Sequence, residues 1–470
     1  MADTIARQFG RWAASLKYED LPPVVVDKIK SLILLHLTSA VIGAQEHRAK
    51  DTIDLIMKEE AKPDGATIIY DGRKATRIGA TFADAELIHV TGLMDSFQMI
   101  THPGVSLISS AMVNGELEGN NGKQLITALA AGYELATRLA YDHVPATANR
   151  GYRPAPIYHT MGAAMVAAKC MGLDEDGMVA TIAIAANCAS GLFEAGHSGG
   201  GEQAVHDPNA ARQGVFAAVM ARTGHIKGSE EIIEGPLGFY NAYTGSHEGK
   251  LARKFEGPDE IDLGKVVAGL GKDWRLLKIM YRMYNTGGYN HQVINCIVEL
   301  REKHKIDPAQ IDHIEVLMNY LETLYPTPRA PRDPNNEPRV GSTHYFAAHA
   351  ALNGGFPQVG GRTYGPTEDP TKDAAVLEFL KTKVQVIGMY DKPMFSPTVT
   401  IHMKDGQAHQ QFYPYERMWW NLDGVVEHLQ DLKAKWPLGA DGLEALIQQC
   451  RKADELPSVA PLHALTSPKK

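Results

Sequence analysis

Three stretches of this chain are unusually rich in alanine and glycine, and each has the apolar spacing of a helix. They are residues 159–169, 178–191 and 209–224. Small side chains on successive helices let the backbones approach closely, so these stretches predict the middle of a tightly packed helical bundle. Each follows a polar or glycine-rich loop, and the N–H groups at the start of a helix are suited to binding carboxylates.

The pattern of the remaining chain divides it into two kinds of domain. Apolar residues recur at helical spacing from Pro23 to Gly43 and from Lys123 to Tyr141, and residues 1–270 read almost wholly as helix. Residues 310–319, 383–388 and 398–403 have the composition of strands, and Asp405-Gly406 predicts a hairpin leading to a strand at 407–413. Helical patterns occupy 290–304 and 344–353, and return at 424–436 and 441–452.

These patterns predict a fold that is mainly α with an additional α+β part. We expect a large all-helical domain from residues 1–270 and 415–470, and a smaller α+β domain from residues 271–414. The last fifty residues are expected to pack back on the helical domain.

Charge and hydropathy limit the classes of partner. The net charge is −8, with no long block of lysine and arginine, so the basic patch typical of nucleic-acid or anionic-membrane binding is missing. No apolar run reaches the roughly 18 residues that span a bilayer, and the N-terminus has no signal-peptide pattern. We therefore expect a cytoplasmic protein that binds a small molecule.

The four cysteines give no indication of a metal site. Cys170, Cys188, Cys296 and Cys450 are far apart in apolar or helical surroundings, without a CxxC spacing. This distribution is typical of reduced, buried cysteines and argues against an iron–sulfur cluster.

The segment 94–104 concentrates groups that can perform chemistry. Asp95, Ser96, Thr101 and His102 precede Pro103-Gly104, which predicts a break in the chain at His102. An imidazole there can titrate near neutral pH and transfer a proton, so we expect these four side chains at the mouth of a pocket. The alternative is that His102 only caps or hydrogen-bonds a turn.

Several segments, in this order along the chain, carry a resemblance to a known family. They are Leu21 to Gly43, His102-Pro-Gly, Gly132 to Arg138, the helix ending in 168–173, His206 to Gly224 and Gly235 to Tyr240. Together they resemble the MmgE/PrpD family, which contains 2-methylcitrate dehydratases, cis-aconitate decarboxylases and iminodisuccinate epimerases. The resemblance implies a helical domain, a lid with a chorismate-mutase-like fold, a homodimer, and no metal or organic cofactor.

The resemblance carries over to particular residues. His102 matches the family's histidine before Pro or Ser, Asp95 matches the second acidic residue ahead of it, and Ser96 stands where threonine is usual. His291 matches the histidine after the Lys-x-Tyr-Pro-like run. These matches imply that His102 and His291 act as base and acid, with Asp95 as a third catalytic group.

Three of the family's site positions are altered in this chain. The other acidic residue ahead of His102 falls on Gly92, the pocket histidine on Arg153, and the expected lysine near Gln203. Arg153 is suited to bidentate contact with a carboxylate, and the helix starts near His159 and Gln203 are predicted to hold carboxylates too.

The predicted substrate-binding set collects the remaining polar residues of these segments: Ser96, Thr101, Arg153, His159, Gln203 and His206. Alternatives stay open for several of them. His159 can replace the lost imidazole or cap its helix, and Arg153 can instead be paired within its own loop. His206-Asp207 can be a proton-relay pair or a turn ending at Pro208, and His291 can be a histidine satisfied in the core of the lid.

Removal of a proton next to a carboxylate is the step that the family's reactions share. We therefore expect a cofactor-independent lyase, a dehydratase or decarboxylase, that acts on a small di- or tricarboxylate. An epimerase of an iminodisuccinate-like dicarboxylate is the first alternative. Because three site positions differ, a relative that binds without turnover is the second.

Overall fold

The computed structural model describes residues 3–324, 337–359 and 369–468. They form two compact units. Unit 1 comprises the described residues up to Tyr281 and those from Trp420 onward, and unit 2 comprises those between Arg282 and Trp419. The division at 270/271 and 414/415 stays a prediction. The described chain is mainly helical with small sheets, which confirms the predicted fold class at that level; the chorismate-mutase-like fold of the lid stays a prediction.

The described part of unit 1 consists of helices with a few short strands beside them. Its elements before the second unit are α1 Ile5–Ser15, α2 Pro23–Gly43, α3 His47–Glu60, β1 Ala61–Thr67, β2 Lys74–Ala75, α4 Arg77–His89, β3 Met94–Ser96, α5 Pro103–Leu117, α6 Gly122–Ala140, α7 Val144–Asn149, α8 Pro154–Cys170, α9 Glu175–Cys188, α10 Glu194–Ser198, α11 His206–Arg222, α12 Phe239–Thr244 and α13 Gly264–Val267. Strand β4, Met280–Arg282, spans the boundary between the units. Strands β1 and β2 are antiparallel.

The glycine- and alanine-rich helices form the core of unit 1, as predicted. Helix α8 is buried along almost its whole length and packs against α5, α6, α9 and α11. A Cβ on Gly132 of α6 would lie 2.7 Å from the carbonyl oxygen of Gly162 in α8. A Cβ on Gly214 of α11 would lie 2.7 Å from the carbonyl oxygen of Thr160. The helices therefore cross at distances that only glycine permits.

All three predicted helix starts lie too late in the sequence. Helix α8 begins at Pro154 and not at His159, α9 begins at Glu175 and not at Met178, and α11 begins at His206 and not at Asn209. Pro154 and Pro156 look like helix breakers, but a proline in the first turn removes only an N–H that has no intrahelical partner. The same argument applies to Pro208 in α11. His159 therefore lies inside α8, and the first turn of α11 contains Asp207.

Unit 2 is an α+β structure built on one mixed sheet. Its elements are α14 Gly288–His304, β5 Ile311–Asn319, α15 Tyr320–Thr323, α16 Thr343–Asn353, α17 Ala374–Thr382, β6 Val384–Met389, β7 Thr398–Met403 and β8 Ala408–Phe412. The strand order is β6-β5-β7-β8, with β5 and β6 parallel and the other pairs antiparallel. Ile314, Val316 and Met318 alternate along the buried side of β5, and α14 and α16 pack on the sheet.

The final helices complete unit 1. They are α18 Leu422–Leu429, α19 Ala440–Arg451 and α20 Ala460–Thr466. Helices α18 and α19 pack on α2, which confirms that the C-terminal residues return to the helical part. Among the described residues, no helix has both the length and the apolar content needed to cross a bilayer.

Candidate functional site

The segment between β3 and α5 is a tight, buried loop. The hydroxyl of Ser96 donates to the carbonyl oxygens of Gln98 and Thr101, at 3.0 and 3.2 Å. The hydroxyl of Thr101 donates in turn to the carbonyl of Phe97. Both hydroxyls thus hold the loop in shape. Gln98 and Ile100 have positive φ, which is costly for a β-branched side chain such as Ile100 and is typical of functional loops.

Asp95 anchors this loop to the start of α5. Its side chain is fully buried, and both carboxylate oxygens lie 3.0 Å from the backbone nitrogen of Gly104, in the first turn of that helix. His36 of α2 donates its Nδ1–H to the carbonyl of Leu32 and places Nε2 3.3 Å from Asp95 Oδ1. A Cβ on Gly104 would lie 2.1 Å from Cε1 of His36, so this position requires glycine.

His102 is held from two sides with a defined tautomer. Its ring nitrogen Nδ1 lies 3.0 Å from the carbonyl oxygen of Asp95 and donates its hydrogen there. A neutral imidazole protonated on Nδ1 carries its lone pair on Nε2, so Nε2 is the atom that accepts a proton. The residue is half-buried and precedes α5, and its backbone N–H donates to Nε2 of His159 over 2.8 Å.

His159 connects His102 to a buried carboxylate. Its Nδ1 lies 3.0 Å from Oδ1 of Asp207, while its Nε2 accepts from the backbone of His102. An imidazole that accepts at Nε2 must be neutral and donate at Nδ1. Since His159 is fully buried in the second turn of α8, it does not cap that helix.

Asp207, in α11, gathers positive and hydrogen-bonding groups from two other helices, α4 and α8. Arg153, at the N-cap of α8, places Nη1 2.6 Å from Oδ2 of Asp207, and Nε2 of His89 lies 3.3 Å from the same oxygen. Burial raises the pKa of the Asp207 carboxyl, but Arg153, the hydrogen bond from His159 and the His89 ring outweigh it and hold the pKa well below its usual range. Asp207 is therefore ionised at neutral pH, and Arg153 is paired across the fold and not within its own loop.

Gln203 and His206 lie just before Asp207 in the chain. Gln203 is half-buried in the single turn Gly201–Val205, and His206 follows at the start of α11. Burial and then Arg153 lower the pKa of the His206 imidazole. The bounds of α11 exclude the predicted turn ending at Pro208. The hydrogen bonds of Asp207 run to Arg153 and His159, so the structure does not bring His206 and Asp207 together as a relay pair.

His291 lies in unit 2, in the first turns of α14. Its Nε2 accepts from the backbone nitrogens of Met283 and Tyr284, each at 3.0 Å, and its Nδ1 lies 3.3 Å from the carbonyl of Gly287. Burial, followed by repulsion from Arg282, lowers the pKa of His291 to about 3. This geometry matches the alternative of a histidine satisfied in the core of its own unit. A catalytic role for His291 stays a prediction.

Sequence reasoning missed Lys28, a buried amine on which the charge of Asp95 acts. Nζ of Lys28, on α2, is buried and donates to the carbonyls of Ile279 and Trp420, at 2.6 and 3.0 Å. Burial lowers the pKa of this amine well below its usual range, against the opposing attraction of Asp95 and Asp27. The signal was present, because Lys28 and His36 stand on the mainly apolar helix α2, but nothing local indicated their partners.

Together, these groups can place a proton-accepting base beside the carboxylates of a bound molecule. His102 has a fixed ring with a proton-accepting nitrogen, and its backbone N–H is linked to the guanidinium of Arg153 by hydrogen bonds through His159 and Asp207. Among the described residues, no group of three or more His, Cys, Asp or Glu side chains is arranged to hold a metal ion. The imidazole of His102 is suited to proton transfer.

Comparison with known proteins gives a family match and several relatives. A model of the MmgE/PrpD N-terminal domain matches residues 7–252, more than half of the chain. The cis-aconitate decarboxylase of Aspergillus terreus is 25% identical over 329 residues, which cover 67% of this chain and 65% of that protein.

Two further relatives have related names. A cis-aconitate decarboxylase-like protein of Aspergillus oryzae is 23% identical over 331 residues, covering 68% of this chain and 66% of its own length. The human cis-aconitate decarboxylase is 24% identical over 256 residues, covering 52% of this chain and 51% of its own length. In each case the chain spans less than two thirds of the relative.

Proposed function

The chain belongs to the MmgE/PrpD family, and on that premise we propose that it is a cofactor-independent lyase. The proposed substrate is a small di- or tricarboxylate, and the reaction is a dehydration or a decarboxylation. The observation that carries the proposal is the tautomer of His102, whose Nδ1–H bond to the Asp95 carbonyl leaves Nε2 as the proton-accepting atom. The names of the relatives support a reaction of the decarboxylase type.

For a dehydration, the proposed first step is removal of a proton from the carbon next to a carboxylate. Nε2 of His102 takes the proton, and the electron pair of the C–H bond moves into the carboxylate as an enediolate. Charge on that group requires hydrogen-bond donors nearby. We assign this role to Arg153, whose guanidinium carries five N–H donors and is held by Asp207 through Nη1.

The two lyase reactions differ in which bond supplies the electron pair and in the protonation state of His102. In a dehydration the electron pair of the C–H bond forms a C=C bond as hydroxide leaves the next carbon, and the hydroxide takes the proton that His102 removed, so that water is released and the imidazole is neutral again. In a decarboxylation no C–H bond breaks: the C–C bond to a carboxylate breaks, carbon dioxide leaves, and the electron pair stays on the substrate as a carbanion, which receives a proton that His102 has first taken up from water. One histidine can thus act as base and as acid.

The second candidate function is that of a family member that binds a carboxylic acid but does not convert it. The observation that favours it is the 2.6 Å ion pair between Arg153 and Asp207, which neutralises the cation at the altered pocket position. A substrate carboxylate must then compete with Asp207 for the same guanidinium.

The test is a panel of citrate-like, aconitate-like and aspartate-like acids incubated with the full chain in deuterated water. NMR follows exchange of the proton next to each carboxylate and the release of water or carbon dioxide. We expect exchange and loss of a group with at least one acid, and no exchange with His102→Gln, which keeps an amide but cannot transfer a proton. Exchange with inversion and no loss of a group would indicate an epimerase. Binding without exchange would indicate the second candidate, and neither binding nor exchange with any acid would refute the proposal.

The homodimer implied by the family resemblance remains part of the proposal. Sedimentation velocity of the full chain measures the mass directly. A monomer across the concentrations used for turnover would remove the homodimer from the proposal.

A further inference from the structure

A continuous line of hydrogen bonds runs from the start of α11 to β3. Asp207 Oδ1 accepts from Nδ1 of His159, and Nε2 of His159 accepts from the backbone nitrogen of His102. The ring of His102 then donates from Nδ1 to the carbonyl oxygen of Asp95. The line therefore connects α11, α8, the loop before α5 and β3.

The position of His102 makes its backbone N–H important. The residue is the N-cap of α5, with φ −139° and ψ 65°, and so lies outside both the helical and the strand conformations. Its N–H has no helical partner, and the loop before it contains two residues with positive φ. The hydrogen bond to His159 is the contact that fixes this N–H, and the direction of the His102 ring depends on the backbone from which it projects.

His159 is itself held against rotation. Its side chain is fully buried, and an imidazole can satisfy both contacts only when Nδ1 faces Asp207 and Nε2 faces His102. Arg153 and His89 contact the second oxygen of Asp207 and keep its first oxygen directed at His159. Such an outer support is what holds a reacting group in a productive geometry.

We propose that Asp207 and His159 form a positioning pair that sets the backbone and the Nδ1–H tautomer of His102. His159 is then a positioning residue and not a substrate-binding one. This inference rests on the proposed function only where it concerns turnover, because the tautomer of His102 can be measured without a substrate.

Two substitutions of His159 separate the two hydrogen bonds. The amide of asparagine reaches about as far as Nδ1 of histidine and can keep the contact with Asp207. The amide of glutamine reaches as far as Nε2 and can accept from the N–H of His102. His159→Asn therefore removes the support of His102, and His159→Gln retains it.

The first readout is the split between kcat and KM. We expect His159→Asn to lower kcat by about 100-fold, the loss typical of a reacting group displaced by about 1 Å, with KM little changed. His159→Gln should recover much of that loss. The matched control is His143→Gln. His143 is a buried histidine of unit 1 whose ring stacks on Tyr240 with 3.8 Å between the ring centroids. Its replacement should leave kcat and KM near the wild-type values. The free energy of unfolding of each variant is measured alongside.

The second readout is independent of activity. Nitrogen-15 NMR of histidine-labelled protein distinguishes a protonated from an unprotonated ring nitrogen, and His102→Gln identifies the signals of His102. The wild type and His159→Gln should show protonated Nδ1 and unprotonated Nε2, and His159→Asn should show a mixture of tautomers.

The outcomes separate this inference from the proposed function. If the wild type turns over none of the acids, the proposed function fails while the NMR signals still test the positioning pair. The inference is overturned if His102 keeps its tautomer in His159→Asn. It is also overturned if the two His159 variants fold like the wild type and lose kcat equally.

Discussion

Replacement of Asp207 by asparagine tests whether the charge cluster beside His102 is a strong stabilising element of unit 1. The asparagine amide would offer one acceptor oxygen to Arg153, His159 and His89, and its N–H groups would face other donors. Asp207 is fully buried, and Arg153 is only 4% exposed, so the guanidinium would lose its countercharge out of contact with bulk water.

The expected loss of stability can be estimated from the ion pair and from its hydrogen bonds. Removing one partner of a buried ion pair costs about 3–5 kcal/mol, because the other charge is left uncompensated. The two shortest contacts of Asp207, at 2.6 and 3.0 Å, are hydrogen bonds to a charged acceptor, and each contributes about 1.5–3 kcal/mol. Asp207→Asn is therefore expected to lower the free energy of unfolding by about 3–5 kcal/mol at pH 7, a large part of the roughly 5–15 kcal/mol typical of a folded protein.

Urea unfolding of the wild type and the variant measures this difference, and pH provides a second test. The folded pKa of Asp207 is depressed, so its contribution to stability is complete above the unfolded value of about 3.9 and is lost as the pH falls through the folded value. The difference in free energy of unfolding between wild type and Asp207→Asn should therefore be smaller near pH 3 than at pH 7.

The matched control is Asp176→Asn. Asp176 lies 2.7 Å from Nη1 of Arg7, so it makes a similar ion pair, but its side chain is 85% exposed. Solvent screens such a pair, and the control should lose only a small fraction of the stability lost in Asp207→Asn. The reasoning would be refuted if the two variants lost the same free energy of unfolding. It would also be refuted if the difference between wild type and Asp207→Asn did not change with pH.

Three other substitutions test separate parts of the structure. Gly104→Ala places a Cβ against the ring of His36 and should cost about 1–3 kcal/mol of unfolding free energy, measured in urea; a stability equal to the wild type would show that the loop relaxes without cost. His291→Asn shortens the side chain, so it removes the acceptor for two backbone N–H groups and should cost about 1–3 kcal/mol, while its turnover on an active acid decides the predicted catalytic role: near-normal kcat removes that role. Lys28→Met removes an amine whose folded pKa is lowered by burial. The wild type should therefore gain stability relative to this variant as the pH rises from 7 towards the unfolded lysine value of about 10.4, and an unchanged difference would contradict the assigned direction.

Much of the architecture follows from local patterns in the sequence. Apolar spacing identified the helices of unit 1, and the alanine- and glycine-rich stretches that contain Gly162 and Gly214 indicated close crossings because a missing Cβ has a direct steric effect. Alternation and the Asp405-Gly406 turn identified the strands of unit 2. The loop before α5 was also readable, since Asp95, Ser96, Thr101 and His102 lie within a few residues of one another.

The helix starts were less readable because proline has two opposite effects. A proline interrupts a helix when it lies in the interior and favours one when it lies in the first turn. The sequence around a proline does not show which of the two positions it occupies. The early start of α8 moved His159 from a cap to a buried interior position, and that change altered its inferred role.

The sequence by itself determined which segments become helices and strands, and it marked His102 as a residue able to transfer a proton. Only the tertiary structure decided the partners of that residue. Arg153 and His159 reach Asp207 across 54 and 48 positions of the chain, and Lys28 meets carbonyls 251 and 392 positions away. Periodicity reports which face of a helix is buried, but the partner of a buried charge depends on which other helix packs there. The tautomer of His102 and the ionisation of Asp207 follow from those contacts, because hydrogen bonds and charges act over distance in space and not along the sequence.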